Sequence, residues 1–481
     1  MRTATDSATG EGFALAAAER AELAKCLEQG IQSARRSGGR TLVALTVRRS
    51  PELDPSAVAF ASRRPGEPWF CFEQPERDRS SIAALGAVAT VEDRGPQRFE
   101  RVAAAWRVLV SDAVAEAPEG PPGAGLIATG GFAFADGGGA SPPWSAFAPA
   151  SLAVPELSFA RSGDELRMTV TALATPDDLA EQLLERLERR LAELHAPALG
   201  LLDPLPSAGA RIAAPMAPEH YVAAVARAAE IVASGELQKI VLAREVDVHA
   251  PQPHDAGAVF AALRQEFSGC FVFCVGRGES ALIAASPELL VRREGQRAST
   301  IALAGSTRRS ADPAVDEHLG EQLLRSPKER EEHAIVARRI EQVLRAHSVW
   351  VTMPPEPSLV RIANIQHLAS PVRAQLAAPL AAVELAGLLH PTPAVGGLPG
   401  ERAEALIPAL EGIDRGWYAG PVGWTDSNED GEFAVALRCA LLDGALARCY
   451  AGVGVLADSD PQAELAETEL KLQALLPLLA G

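Results

Sequence analysis

Cysteine is scarce and scattered in this chain. Six occur in 481 residues, at positions 26, 71, 270, 274, 439 and 449, with no CxxC pair and no histidines at zinc-finger spacing. That excludes a disulfide scaffold and a thiolate zinc site, and the thiols are expected to be reduced, buried side chains of a cytoplasmic protein. Long apolar runs are missing too: no stretch of about 18 uncharged apolar residues exists, so no membrane-spanning helix is expected. Residues 1–12 are polar and lack the apolar core of a signal peptide. Basic residues fall short of acidic ones, 45 Lys and Arg against 62 Asp and Glu, which gives a formal net charge of −17. That balance argues against nucleic acid and anionic membrane as partners. Taken alone, it also argues against an anionic substrate.

What is present is enough for a large folded core. Hydrophobic residues make up 47% and charged residues 22%, proportions of a globular rather than a disordered chain. At roughly 150 residues per domain, the length allows about three domains or one large fold. The segment 1–12 reads as a disordered tail. Residues 13–201 mix amphipathic helices, such as 176–195, with β-like runs at 41–48 and 125–135, separated by Gly/Pro-rich loops at 118–123 and 136–143. A Pro/Ala/Gly stretch, 202–218, reads as a linker. Residues 219–481 open with a helix whose apolar stripe is Tyr221, Val225, Ala228 and Val232, closed by Gly235, and a strand at 237–248 follows. Strands and helices then alternate irregularly, which implies an α+β fold with largely antiparallel sheets.

Several polar residues stand where apolar ones are expected. The period of two places Lys239 on one strand face with Leu237, Val241 and Ala243, where a desolvated lysine is available as a base or else snorkels to water from an edge strand. Glu288 follows the apolar run 280–285, and a desolvated carboxyl there would hold its proton near neutrality. Ser326-Pro327-Lys328-Glu329 has the form of a helix start, with Ser326 at N-cap and Pro327 at N1. Glu332 lies one turn beyond Glu329, and a second pair, Glu464 and Glu467, shares a helix face with Lys471. Like charges one turn apart repel; each pair wants a cation, and four carboxylates without His or Cys suit a hard ion such as Mg²⁺. Solvated helix faces would explain either pair alone. Gly305-Ser306, 390–397 and Gly452–Gly454 read as small-residue loops at strand ends, whose N–H groups could approach a carboxylate. Arg438, in the β-like run 433–439, is a candidate for bidentate carboxylate binding.

In order along the chain, these segments resemble the chorismate-utilising enzymes, a family that includes isochorismate, salicylate, anthranilate and aminodeoxychorismate synthases. The resemblance is carried by Lys239-Ile-Val-Leu-Ala-Arg244, Ser286-Pro-Glu-Leu-Leu-Val, Leu303-Ala-Gly-Ser306, Lys328-Glu-Arg-Glu-Glu-His333, Gln366-His367-Leu, 390–397, Gly416-Trp-Tyr-Ala-Gly420 and 450–471. It is strong over about 215–481 and weaker before, through Trp69-Phe-Cys-Phe and Gly130-Gly-Phe-Ala-Phe134. It implies a single large fold, two packed antiparallel sheets flanked by helices with the site between them. It implies Mg²⁺ at Glu332 and Glu467, with Glu329 and Glu464 as direct or water-mediated ligands. Tyr418, Arg438, the Gly452 backbone and Lys471 would receive the second carboxylate of chorismate, with Gly305 and Ser306 lining the pocket and His367 near the ring.

Two positions imply the branch. Lys239 stands where ammonia-using members resemble this sequence except for a glutamine, which fits water as nucleophile and no amidotransferase partner. Ala394 stands where pyruvate-eliminating members carry threonine. The expected activity is therefore an isomerase forming isochorismate, for menaquinone or siderophore biosynthesis, from a chain expected to be a monomer. Salicylate synthase and an inert chorismate-binding homologue are the alternatives. In the expected mechanism Lys239 activates water for attack at C2, and Glu288 protonates the departing C4 hydroxyl.

Overall fold

The computed structural model describes residues 12–116, 119–203, 209–362 and 365–481. The expected tail, save Gly12, lies outside these residues, as do 204–208 of the expected linker and Pro118 of the 118–123 loop. Among the described residues two sheets, one of 13 strands and one of 10, pack together with flanking helices. The described pairings are antiparallel except that of Thr41–Arg48 with Val114–Ala115. Among the described residues no helix is long and apolar enough to cross a membrane.

The apolar strands are continuous because both of their faces are covered. Phe70 and Phe72 enter a core that holds side chains from both sheets, while Trp69 and Cys71 alternate into a second core beneath the outer helices. Phe271, Phe273 and Val275 alternate in the same way with Val272 and Cys274, so packing alone accounts for that cysteine pair. The described cysteines are all free, and all but Cys26 are buried.

The two sequence regions share both sheets. Strand Trp69–Gln74 pairs with Phe271–Arg277, and Ile127–Phe132 pairs with Pro421–Asp426. The expected linker is not wholly irregular: Arg211–Ala213 forms an edge strand against the end of Lys239–His249. Helix Pro218–Ala233 then buries the predicted stripe of Tyr221, Val225, Ala228 and Val232.

Two crossovers between the sheets lie side by side. The chain leaves the 13-stranded sheet after Ser280–Ser286 and enters the 10-stranded sheet at Leu289–Glu294; it returns between Gly431–Val435 and Cys439–Asp443. Ser286 Oγ donates to Val435 O at 2.5 Å, Val435 N–H to Glu288 O at 3.0 Å and Ala285 N–H to Arg438 O at 3.1 Å. Glu288 and Arg438 thus occupy the backbone that joins the sheets. Arg438 is not in a strand, as its apolar run suggested, but in the return crossover with φ +47°. The loop 390–397 does end at a strand, Gly397–Leu398, but the other glycines singled out lie within strands. Gly305 makes a β-bulge inside Arg297–Arg308 at φ +75°, a conformation an L side chain resists, and Gly452 and Gly454 lie inside Leu446–Val455.

Candidate active site

A cavity opens where these crossovers meet, walled by residues of both sheets. Of the fourteen residues singled out from sequence, all but Lys239, Glu329 and Glu464 line it. The crossovers contribute Glu288 and Arg438, and the bulge contributes Gly305 and Ser306. Helix Pro327–Ala346 supplies Glu332, and helix Pro461–Leu472 supplies Glu467 and Lys471. His367, Ala394, Tyr418 and Gly452 complete the predicted part of the wall.

Lys239 sits just behind that wall. It is 1% exposed, and its Nζ lies 2.8 Å from Glu332 Oε1. Gly454 lies over the pair: a Cβ there would fall 2.3 Å from Glu332 Oε1 and 2.7 Å from Lys239 Cε. Glu288 is buried, with Thr392 Oγ1 donating to its Oε1 at 3.5 Å. Burial pushes its carboxyl up to about 8 against the opposing pull of the Lys239 charge, the Thr392 hydroxyl and Lys471. Burial thus favours the protonated carboxylic acid here, and the Lys239 charge is the strongest influence opposing it.

The acidic helix starts are built as their sequences imply. Ser326 Oγ caps its helix by accepting the Glu329 N–H at 3.4 Å, with Pro327 in the first turn. The Glu329 side chain does not turn back to the cap; it accepts the Ser306 N–H at 3.0 Å. Ser306 Oγ donates to Glu467 Oε1 at 2.9 Å, so one residue of the bulge ties both acidic helices together. Burial first, then the charges of Glu332 and Glu467, push Glu329 up to about 7. Burial also acts to raise Glu467, but Lys471, 3.0 Å away, and the Ser306 hydroxyl outweigh it and hold that carboxyl below its usual range. Glu464 is buried away from the cavity, 3.1 Å from Lys328 Nζ. Among the described residues no three His, Cys, Asp or Glu side chains converge closely enough to hold a metal ion as they stand. Glu329 and Glu467, both bonded to Ser306, and Glu332, paired with Lys239, are nonetheless an all-oxygen donor set of the kind a hard divalent cation takes.

Cationic groups line the same cavity. Arg438 Nη2 donates to His367 Nε2 at 2.8 Å, while its buried Nη1 has no hydrogen-bond partner among the described residues. Burial, then the nearby charges of Arg438 and Lys471, keep His367 neutral well below its usual value. Lys471 Nζ donates to Gly452 O at 2.9 Å. Tyr418 stacks on Tyr450 at 5.2 Å between ring centres. An unpartnered guanidinium nitrogen beside an ammonium can receive an anionic ligand group.

Sequence reasoning missed Thr392, Tyr450 and the buried pair Glu411–Arg415 behind the wall. Thr392 and Tyr450 sit inside segments that the motifs already marked. Glu411 and Arg415 carried no such signal beyond their i,i+4 spacing.

Residues 29–480 match the family described as chorismate binding enzyme. The chain is 36% identical over 469 residues to a salicylate biosynthesis isochorismate synthase of Pseudomonas aeruginosa, covering 96% of each. It is 30% identical over 445 residues to isochorismate synthase MenF of Bacillus subtilis, covering 90% of this chain and 93% of that relative. Its fold is similar to the structure of MenF, the menaquinone-specific isochorismate synthase from Escherichia coli, with a TM-score of 0.77 and 26% identity over 94% of this chain and 100% of that one.

Proposed function

This chain belongs to the chorismate-binding enzyme family, and on that footing we propose that it isomerises chorismate to isochorismate with Mg²⁺ as cofactor. The observation that carries the reading is Glu288, a carboxyl raised to about 8 in the crossover wall and opposed by the charge of Lys239. In its neutral form, having released the ammonium proton, Lys239 takes a proton from water, which adds at C2 of chorismate. Glu288 gives its proton to the C4 hydroxyl, which leaves as water while both ring double bonds shift. Water is consumed and released, so the sum is an isomerisation with no covalent enzyme intermediate. Arg438 and Lys471 receive the second carboxylate.

Glu332, Glu467 and Glu329 would hold the Mg²⁺, with Glu464, paired to Lys328, reaching it through water. When bound, the ion anchors and polarises the carboxylate-bearing end of the ring. The enzyme works without an amidotransferase subunit, as a cytoplasmic monomer, supplying isochorismate for menaquinone or siderophore synthesis. The names of the relatives support this activity, and Ala394 supports a reaction that stops there. Incubation with chorismate and Mg²⁺, followed by a pyruvate-coupled dehydrogenase assay, tests the last point. Isochorismate without pyruvate is expected; stoichiometric pyruvate would make the chain a salicylate synthase instead, and no turnover would make it an inert homologue.

Gly454 offers a test of the Lys239–Glu332 geometry. Alanine there must displace both Glu332 Oε1 and Lys239 Cε, and so disturbs the buried pair they form. Gly454→Ala should therefore lower Tm by less than Lys239→Ala does and lose about tenfold or more in kcat per folded enzyme, since displacements near 1 Å can cost up to about 10²-fold. Steady-state kinetics beside a thermal melt read both.

A further inference from the structure

Behind the cavity, Arg415 joins two parts of the site that are remote in sequence. Its Nη1 donates to Val395 O at 2.8 Å and its Nη2 to Val241 O at 2.9 Å. Val395 is in the cavity wall next to Ala394, and Val241 is two residues along the strand from Lys239. Glu411 holds the guanidinium from the other side. Its Oε2 accepts Arg415 Nε–H at 3.0 Å, while its Oε1 accepts Nη2 and, at 2.6 Å, the Ala243 N–H of the same strand. The guanidinium carbon lies 4.2 Å from the centre of the Phe134 ring. Both charged side chains are buried, Arg415 at 4% and Glu411 at 4% exposure.

A buried ion pair is weak evidence for stability, because apolar residues of similar volume often serve that purpose as well or better. What a hydrophobic pair could not do is satisfy carbonyls of two separate segments with one rigid planar fork. We propose that Arg415, oriented by Glu411, is a positioning residue for the isomerisation: it fixes the Ala394–Val395 wall against the strand that carries Lys239. The inference rests on the isochorismate-forming reading above. Its consequence is kinetic, since the clamp touches no substrate but sets the distance from the base to a ring bound in the cavity.

Arg415→Lys keeps the charge and removes the fork. The expected result, per folded enzyme, is a fall of about tenfold or more in kcat with KM within about threefold of wild type. Arg190→Lys is the control, a buried arginine of the outer core that bonds Glu67 at 2.7 Å far along the sheet. It should lower Tm comparably and leave kcat unchanged. If Arg415→Lys does not fold, Glu411→Gln leaves the arginine in place and loosens only its orientation; a smaller loss of kcat at near-constant KM is then expected. Unchanged kcat in either folded variant, a loss confined to KM, or failure of both to fold overturns the proposal. Absence of isomerisation by the wild-type enzyme overturns the underlying reading instead, so the two failures are distinguishable.

Discussion

Lys239→Ala should abolish measurable isomerisation while chorismate still binds. General acid–base contributions are worth roughly 10²–10⁴-fold each, and no other lysine occupies the strand face behind Gly454. The variant also strips Glu332 of the ammonium 2.8 Å away. Breaking a buried pair by removing one partner costs about 3–5 kcal/mol, and because the Glu332 side chain is 15% exposed the lower end is expected here. A fall in Tm is therefore part of the prediction and must be separated from catalysis. Lys239→Gln does so: the amide can still donate to Glu332 but cannot take a proton from water. It should recover most of the lost stability and none of the turnover. Undiminished turnover in purified Lys239→Ala, measured by product chromatography, would remove Lys239 as the base.

Glu288→Gln has an equally large expected effect, through the opposite proton transfer. The amide fits the same crossover and keeps its backbone bond to Val435, but has no proton for the leaving hydroxyl. A loss of roughly 10²–10⁴-fold in kcat is expected with the fold intact. The pH dependence carries the sign. The useful form of Glu288 is the protonated one, and its carboxyl is raised to about 8 by burial against Lys239, Thr392 and Lys471. The acid is therefore present below about pH 8 and lost above it, so kcat/KM should fall as pH rises through that region. The residual activity of Glu288→Gln should lack this limb. A wild-type profile that climbs steadily from pH 7 to pH 10 would contradict Glu288 as the acid.

Much of this site was legible in the sequence because its chemistry breaks local rules. A lysine in an apolar strand, a glutamate after an apolar run and paired glutamates one turn apart are each anomalous against a period of two or 3.6. The helix start at Ser326 was readable from its cap residues alone. What could not be read was where segments meet. Nothing local shows that Ser286 and Leu289 belong to different sheets, so Glu288 looked like a strand residue instead of a crossover. Arg438 misled in the same way: its apolar neighbours suggest a strand, yet the chain turns there at positive φ. The bulge at Gly305 depends on its pairing with Ile365–Leu376, a register no single segment encodes. Arg415 and Glu411 stayed silent because their partners are carbonyl groups, which carry no sequence signal.

The net charge of −17 also changes meaning. It spoke against an anionic substrate, but the sum over a chain does not describe one cavity. Glu329 and Glu467 meet at Ser306 with Glu332 on the helix turn beside them, where a divalent ion would make them a site for an anion. Arg438 and Lys471 add positive charge to the same cavity.

The central claim is that solvent water, activated by Lys239, becomes the C2 hydroxyl while the C4 hydroxyl departs. Turnover of chorismate in ¹⁸O-labelled water tests it most directly, with the isochorismate analysed by mass spectrometry. One ¹⁸O atom per product molecule, located at C2, is the predicted result. Unlabelled isochorismate would mean that the hydroxyl migrates within the substrate, and would contradict the roles given to Lys239 and Glu288 together.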